Sequence, residues 1–248
     1  MASKKLKFDE IGYWSELKLD IVKKYGAAYT TIMNSQTVPL HYVYIDAFAG
    51  AGRHLRKKTQ ESVLGSPLNA LNVDPPFLEY FFIDLDATKV SYLRGEIGDR
   101  ADVHVYEGDC NQVLLREILP RLRYRDYKRG LCLLDPYGLH LNWTVIARAG
   151  EMKSMEIFLN FPVADMNRNV LWHNPTGVDP DDVARMTAFW GDESWRNVVY
   201  SPSPQRKLFG GGPDLVKATN DTIAAAFRHR LNAVAGFAYV PSPIPMRK

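Results

Sequence analysis

Residues 42–52 read Tyr-Val-Tyr-Ile-Asp-Ala-Phe-Ala-Gly-Ala-Gly, an apolar run that closes on an aspartate and opens into a glycine-rich turn. A short continuous apolar run bounded by turn residues is the signature of a strand covered on both faces, whereas a strand with one wet face alternates. The same shape recurs downstream at Tyr80–Asp84 (YFFID), Val103–Tyr106, Leu131–Asp135 (LCLLD) and Glu156–Asn160 (EIFLN). The stretches between, Ser66–Leu71, Asp86–Ile97, Asn111–Leu122 and Asn142–Met152, are suited to helices, the first opened by Ser66 as a cap and Pro67 in the first turn. Such alternation predicts an α/β fold: a Rossmann-like, mostly parallel sheet with helices on both faces.

Working outward from this core, Trp14, Leu17, Ile21, Tyr25, Ala28 and Ile32 recur at helical spacing and predict an N-terminal amphipathic helix over 13–33. Beyond Phe161 the composition turns to Pro, Trp and Asn. Short helices are expected there, one with Val183, Met186, Thr187 and Trp190 on a single face. Gly210-Gly211-Gly212-Pro213 then breaks the chain before a helix on which Leu215, Thr219, Ile223, Phe227 and Leu231 recur every four residues. Gly236–Val240 resembles a last, antiparallel strand. The expected layout is one domain over 1–248: an N-terminal helical segment (1–40), a ligand-binding core (41–162), a small helical insertion (163–212), and a final helix and strand (213–248).

Composition narrows the class. The 248 residues are 46% apolar and 12% aromatic with a net charge of +3, which excludes a disordered chain. No apolar run approaches the roughly 18 residues of a membrane-spanning helix. The basic start, Met1–Phe8, has no apolar stretch behind it, so no secretory signal is expected. Cys110 and Cys132 are too few for a disulfide framework or a four-cysteine zinc site, a usage that suits a cytoplasmic protein. The six histidines show no ligand spacing, so no metal site is expected. A charge of +3 permits an anionic partner without demanding one.

In an open α/β sheet the ligand binds where the strands end, which directs attention to the residues after each run. These are Asp46-Ala47-Phe48-Ala49-Gly50-Ala51-Gly52, then Asp84, then Gly108-Asp109-Cys110-Asn111, then Asp135-Pro136-Tyr137-Gly138. The aspartates at 84, 109 and 135 are spaced by about one βα unit, so the acids line one rim. A nicotinamide site wants a third glycine that opens a helix directly; here Arg53-His54-Leu55 follows, and Gly-Lys-Ser/Thr for a phosphate loop is absent.

S-adenosylmethionine gives each position a role. Gly50 and Gly52, with Ala47 and Phe48, would make room for its methionine end and ribose. Asp84 would accept from the ribose hydroxyls, and Asp109 with Cys110 would meet the adenine. Asp46 either orients the cofactor's amino group or caps the turn. Asp135 would lie beside the transferred methyl. Arg53 and Arg56, in a basic loop over 53–58, are candidates for substrate phosphate, with Ser66 near them. His140 is a candidate base, and Arg168 an edge of the substrate pocket. The basic stretch 121–129 precedes the fourth strand and so belongs to the opposite rim.

Asp46-Ala-Phe-Ala-Gly-x-Gly, Gly65-Ser66-Pro67-Leu68, Gly108-Asp109-x-Asn111 and Asp135-Pro136-Tyr137-Gly138 together resemble the three-Cys-motif partner protein family over the first two-thirds of the chain. That resemblance implies a class I methyltransferase sheet ending in an antiparallel hairpin, use of S-adenosylmethionine, and a partner protein bearing a three-cysteine cluster motif. It implies a final strand after Pro243–Met246, so the terminal hairpin is expected to be incomplete here. Base-amino methyltransferases carry two prolines where this chain has Pro136 alone, which sets Tyr137 one position early. The leading expectation is N-methylation of a nucleobase in nucleic acid, with Asp135, Pro136 and Tyr137 as the catalytic group. Its rivals are a methyltransferase for a nucleoside-type metabolite and a non-catalytic partner subunit.

Overall fold

The computed structural model describes residues 6–203 and 215–246. The chain forms two compact units, one drawn from Met1–Asp135 and Met152–Leu159 and the other from Pro136–Glu151 and Asn160–Lys248.

The first unit is built on a five-stranded sheet: β1 (His41–Asp46), β2 (Glu79–Asp84), β3 (Val103–Glu107), β4 (Lys128–Leu134) and β5 (Met155–Leu159), in the order β3-β2-β1-β4-β5. Every pairing is parallel, with Ile45 of β1 flanked by Phe81 of β2 and Cys132 of β4. This is a Rossmann-like sheet of the class I type, and its strand order reverses between β1 and β4, which opens the crevice at their carboxyl ends. Val43, Ile45 and Ile83 are fully buried. Tyr29, Tyr42, Tyr44, Phe77, Tyr80 and Phe82 pack one aromatic cluster against the central strands. Cys132 is a core residue of β4.

The helix before the sheet runs Tyr13–Asn34. Its buried face is Val22, Gly26, Tyr29 and Thr30, rotated from the stripe expected, so that Ile32 is exposed. Tyr25 lies at the margin, its ring against Phe158 and its hydroxyl donating to Glu156. The helix after β3 is not one helix. Cys110–Val113 is α-helical, Leu114–Ile118 is a π turn and Leu119–Arg121 a 3-10 turn, because Pro120 has no N–H to continue the ladder and its ring crowds the preceding turn.

The basic loop expected over 53–58 is a strand in part. Arg53–Arg56 pairs antiparallel with Ser62–Leu64 and parallel with Glu10–Ile11. Alternating charge hid it, since both neighbours in this small sheet come from outside the βα pattern.

In the second unit, the helix Trp143–Met152 buries Val145, Ile146 and Ala149, and Trp143 packs edge-on to Phe227. Short helices follow as expected, Val163–Asn169, Pro180–Trp190 and Trp195–Val199. The face of Pro180–Trp190 is carried by Met186, Phe189 and Trp190. Leu215 does not join the last helix: Leu215–Lys217 pairs antiparallel with Tyr200–Pro202, and Thr219 caps the helix Asn220–Ala233. The Gly210–Pro213 break lies outside the described residues. Gly236–Val240 is irregular rather than a strand. Two of its carbonyls are taken by the preceding helix, Arg228 Nε donating to Val240 O (2.8 Å) and Asn232 Nδ2 to Phe237 O (2.7 Å). Among the described residues no helix is long and apolar enough to cross a membrane.

Candidate active site

The carboxyl ends of β1, β2 and β4 carry Asp46, Asp84 and, one residue past β4, Asp135. Asp46 is wholly buried. Its Oδ1 accepts from the Phe48 amide (3.2 Å), while Oδ2 is buried with no hydrogen-bond partner. Burial pushes its carboxyl up to about 7; the Ser66 hydroxyl and the Phe48 amide pull the other way, and Asp135 and Asp84 nearby raise it further. Buried polar atoms are nearly always bonded, which sets this carboxylate oxygen apart from the rest of the core.

The turn after Asp46 is pinned on every side. Ala47 N donates to Leu133 O (3.1 Å), Ala49 N to Ile83 O (2.9 Å), and Gly50 N to Asp84 Oδ2 (2.8 Å). Gly50 (φ +64°) and Gly52 (φ +78°) both adopt the left-handed conformation that side chains resist. They differ in surroundings. A Cβ on Gly52 would meet Leu93 Cδ1 at 2.7 Å, so that glycine serves packing; a Cβ on Gly50 would meet nothing within 4 Å. The space expected for a ligand is therefore at Gly50.

Asp84 has two duties. Its Oδ2 holds Gly50 and its Oδ1 accepts from the Asp86 amide (2.8 Å). Each carboxylate oxygen has a second lone pair, so the group that fixes the turn can also accept from a ligand. Asp86 caps the helix Ala87–Ile97 through the Thr88 and Lys89 amides. Asp109 is likewise a cap, accepting from Gln112 N (3.1 Å), with Asn111 Nδ2 on its other oxygen (3.3 Å). Cys110 is buried beside it, and burial pushes its thiol up to about 12, so it is no nucleophile near neutral pH.

Asp135 is ion-paired with Lys18 of the helix Tyr13–Asn34. The βα motifs do not include Lys18, and the apolar stripe expected for that helix does not point to it either. It lies four residues before Val22 and eight before Gly26, on the buried face of that helix, and its side chain is only 16% exposed. His54 is a second residue outside those motifs. Its Nδ1 is buried without a hydrogen-bond partner, and burial lowers its basicity, with Lys18 and Asp135 among the charges it feels.

The expected phosphate ligands are engaged elsewhere. Arg53 Nε donates to Glu96 (2.6 Å), and Arg56 binds Glu16 (2.9 Å) and Glu61 (2.7 Å). Ser66 is the first residue of the helix Ser66–Leu71, with Gly65 as its cap, and its hydroxyl is near enough to Asp46 to favour the ionised carboxylate.

Of the residues in the second unit, Pro136 is buried, and Tyr137 is 55% exposed. Gly138 (φ +69°) has Asp165 against it: a Cβ there would meet Asp165 Oδ2 at 2.7 Å. His140 and Arg168 are exposed. The structure thus brings Asp46, Phe48, Gly50, Ser66, Asp84 and Asp135 into one neighbourhood of the first unit, and engages Arg53 and Arg56 with glutamates.

No family model matches the chain, and no curated protein sequence matches it. Among solved structures it is similar to protein LPL1258 from Legionella pneumophila, at 15% identity and a TM-score of 0.40, over 56% of this chain and 66% of that one, just under two thirds of its length. It is also similar to a chain in a complex between the Haloferax volcanii Trm112 methyltransferase activator and a protein named there as a methyltransferase. There the identity is 13% and the TM-score 0.32, over 78% of this chain and 76% of that one.

Proposed function

We propose that the chain is an S-adenosylmethionine-dependent methyltransferase that methylates a nitrogen of a nucleobase in nucleic acid. One observation carries the cofactor reading: at the switch point of a Rossmann-like sheet, a buried aspartate oxygen lacks a partner and the glycine turn beside it is open at Gly50. A ligand with a cationic amino group and a ribose suits this donor set. Asp46 Oδ2 would take the ammonium, the spare lone pairs of Asp84 the ribose hydroxyls, and Asp109 with Cys110 would border the base. Bound there, the cofactor supplies an electrophilic methyl group on sulfur.

The chain's own work is to position the acceptor and keep water away, which can supply a large part of the rate of an in-line displacement. Asp135 and the Pro136 carbonyl orient the amine and Tyr137 packs on the base plane, a contact generally worth about 1–3 kcal/mol. Arg168 and His140 are the substrate contacts outside the paired arginines. Arg53 and Arg56 would reach phosphate only by exchanging it for Glu96, Glu16 and Glu61. The motif resemblance to three-Cys-motif partner proteins adds a cluster-bearing protein as a companion.

Calorimetric titration with S-adenosylmethionine and S-adenosylhomocysteine tests the reading. Binding is expected, weakened about tenfold or more in Asp84→Ala. Labelled methyl transfer over DNA, RNA and metabolites then follows. Absence of binding rejects the proposal; transfer to free nucleosides alone moves it to a metabolite enzyme, and binding without turnover moves it to a partner subunit.

A further inference from the structure

The cofactor reading leaves one end of the ligand unaccounted for. A rim of aspartates suits an ammonium and a sulfonium, but the aminoacyl end also carries a carboxylate, which needs a donor. The backbone of the glycine turn does not offer one at its first four amides: Ala47 N is bonded to Leu133 O, Phe48 N to Asp46 Oδ1, Ala49 N to Ile83 O and Gly50 N to Asp84 Oδ2. Other cations near this rim are engaged away from it, Arg53 with Glu96, Arg56 with Glu16 and Glu61, and Lys89 with Asp9.

Lys18 differs from these. Its counter-ion is Asp135, itself a residue of the rim, and its side chain is largely buried. Its position on the inward face of the helix Tyr13–Asn34, in line with Val22 and Gly26, points it at the sheet. An ammonium has three N–H donors, and pairing with one carboxylate uses part of that capacity. Burying a charge is costly unless it is paired and hydrogen-bonded; Asp135 supplies the pairing, and the ammonium keeps donor capacity for a second anion.

We propose that Lys18 is a cofactor-binding residue that receives the aminoacyl carboxylate of S-adenosylmethionine, while Asp46 Oδ2 receives the neighbouring ammonium. The proposal rests on the cofactor reading above and adds a residue from outside the βα motifs to it. The ion pair then has a second role, because Asp135 holds the Lys18 ammonium in place and the N-terminal helix becomes a wall of the cofactor site.

The test compares ligands that differ only at that end. Calorimetry on the wild-type chain should give S-adenosylmethionine an affinity about ten- to a hundred-fold above that of decarboxylated S-adenosylmethionine. In Lys18→Met the same loss should appear for S-adenosylmethionine and S-adenosylhomocysteine. 5′-Methylthioadenosine, which lacks the whole aminoacyl end, should bind as before, and Lys18→Arg should recover most of the affinity. Equal weakening of all ligands, or no weakening, assigns Lys18 a structural role and overturns the proposal. So does a wild-type chain indifferent to decarboxylation, a result that needs no variant to fold. If the wild type binds none of these adenosyl compounds, the cofactor reading itself has failed.

Discussion

Asp46 concentrates the chemistry of the rim in one side chain. An unfolded aspartate ionises near pH 4, whereas burial holds the folded carboxyl protonated up to about 7. Between these values the native state binds the extra proton, so this group makes the protein less stable as pH rises from about 4 to about 7, and the loss levels off above. Asp46→Asn should flatten that slope: its unfolding free energy from urea titration at pH 8 should exceed the wild type's by on the order of a few kcal/mol, and the two should converge near pH 4. A cationic ligand beside the carboxylate favours its ionised form. Binding of S-adenosylmethionine at pH 6 should therefore release a proton, which titrations in two buffers of different ionisation enthalpy would detect. The two glycines separate packing from binding. Gly52→Ala meets both the wrong φ and Leu93, and should cost about 2–3 kcal/mol in denaturant unfolding. Gly50→Ala meets only the φ, should cost about 1 kcal/mol, and should nonetheless weaken cofactor binding more.

Elements were legible in proportion to how local their cause is. β1, β2, β3, β4 and β5 sit within a few residues of the apolar runs that announced them, because strands buried on both faces must be apolar throughout. The hairpin at Arg53–Arg56 was hidden because its partners, Glu10–Ile11 and Ser62–Leu64, are not apolar runs. Gly236–Val240 had the composition of a strand, but two of its carbonyls, at Phe237 and Val240, go to Asn232 and Arg228. Helix Trp143–Met152 shows the same limit for a single residue. Alanine is the better helix former at an interior glycine by about 1 kcal/mol, yet a Cβ on Gly150 would lie 2.0 Å from the Ala235 carbonyl oxygen. Gly150→Ala should therefore lower stability by about 3 kcal/mol or more, seen as a reduced midpoint, despite its propensity.

At the scale of the molecule, 31 basic and 28 acidic residues leave +3, and much of the basic charge near the rim is spent on glutamates. Nucleic-acid affinity should then fall only gently with salt, a slope of about 1–3 in log–log form, since each phosphate neutralised contributes about 0.9; a slope near 10 measured by fluorescence anisotropy would contradict it. The sequence alone was enough for the Rossmann-like βα core, for Asp46, Asp84 and Asp135 at the ends of its strands, and for the glycine turn, because each follows from hydrophobic pattern and from where strands must stop. Tertiary structure decided the rest: that Asp46 is left half-satisfied, that Gly50 faces space and Gly52 does not, that Arg53 and Arg56 are paired, and that Lys18 reaches Asp135 across 117 residues of chain. Such pairings depend on which distant groups share a low-dielectric space, and no local pattern encodes that distance.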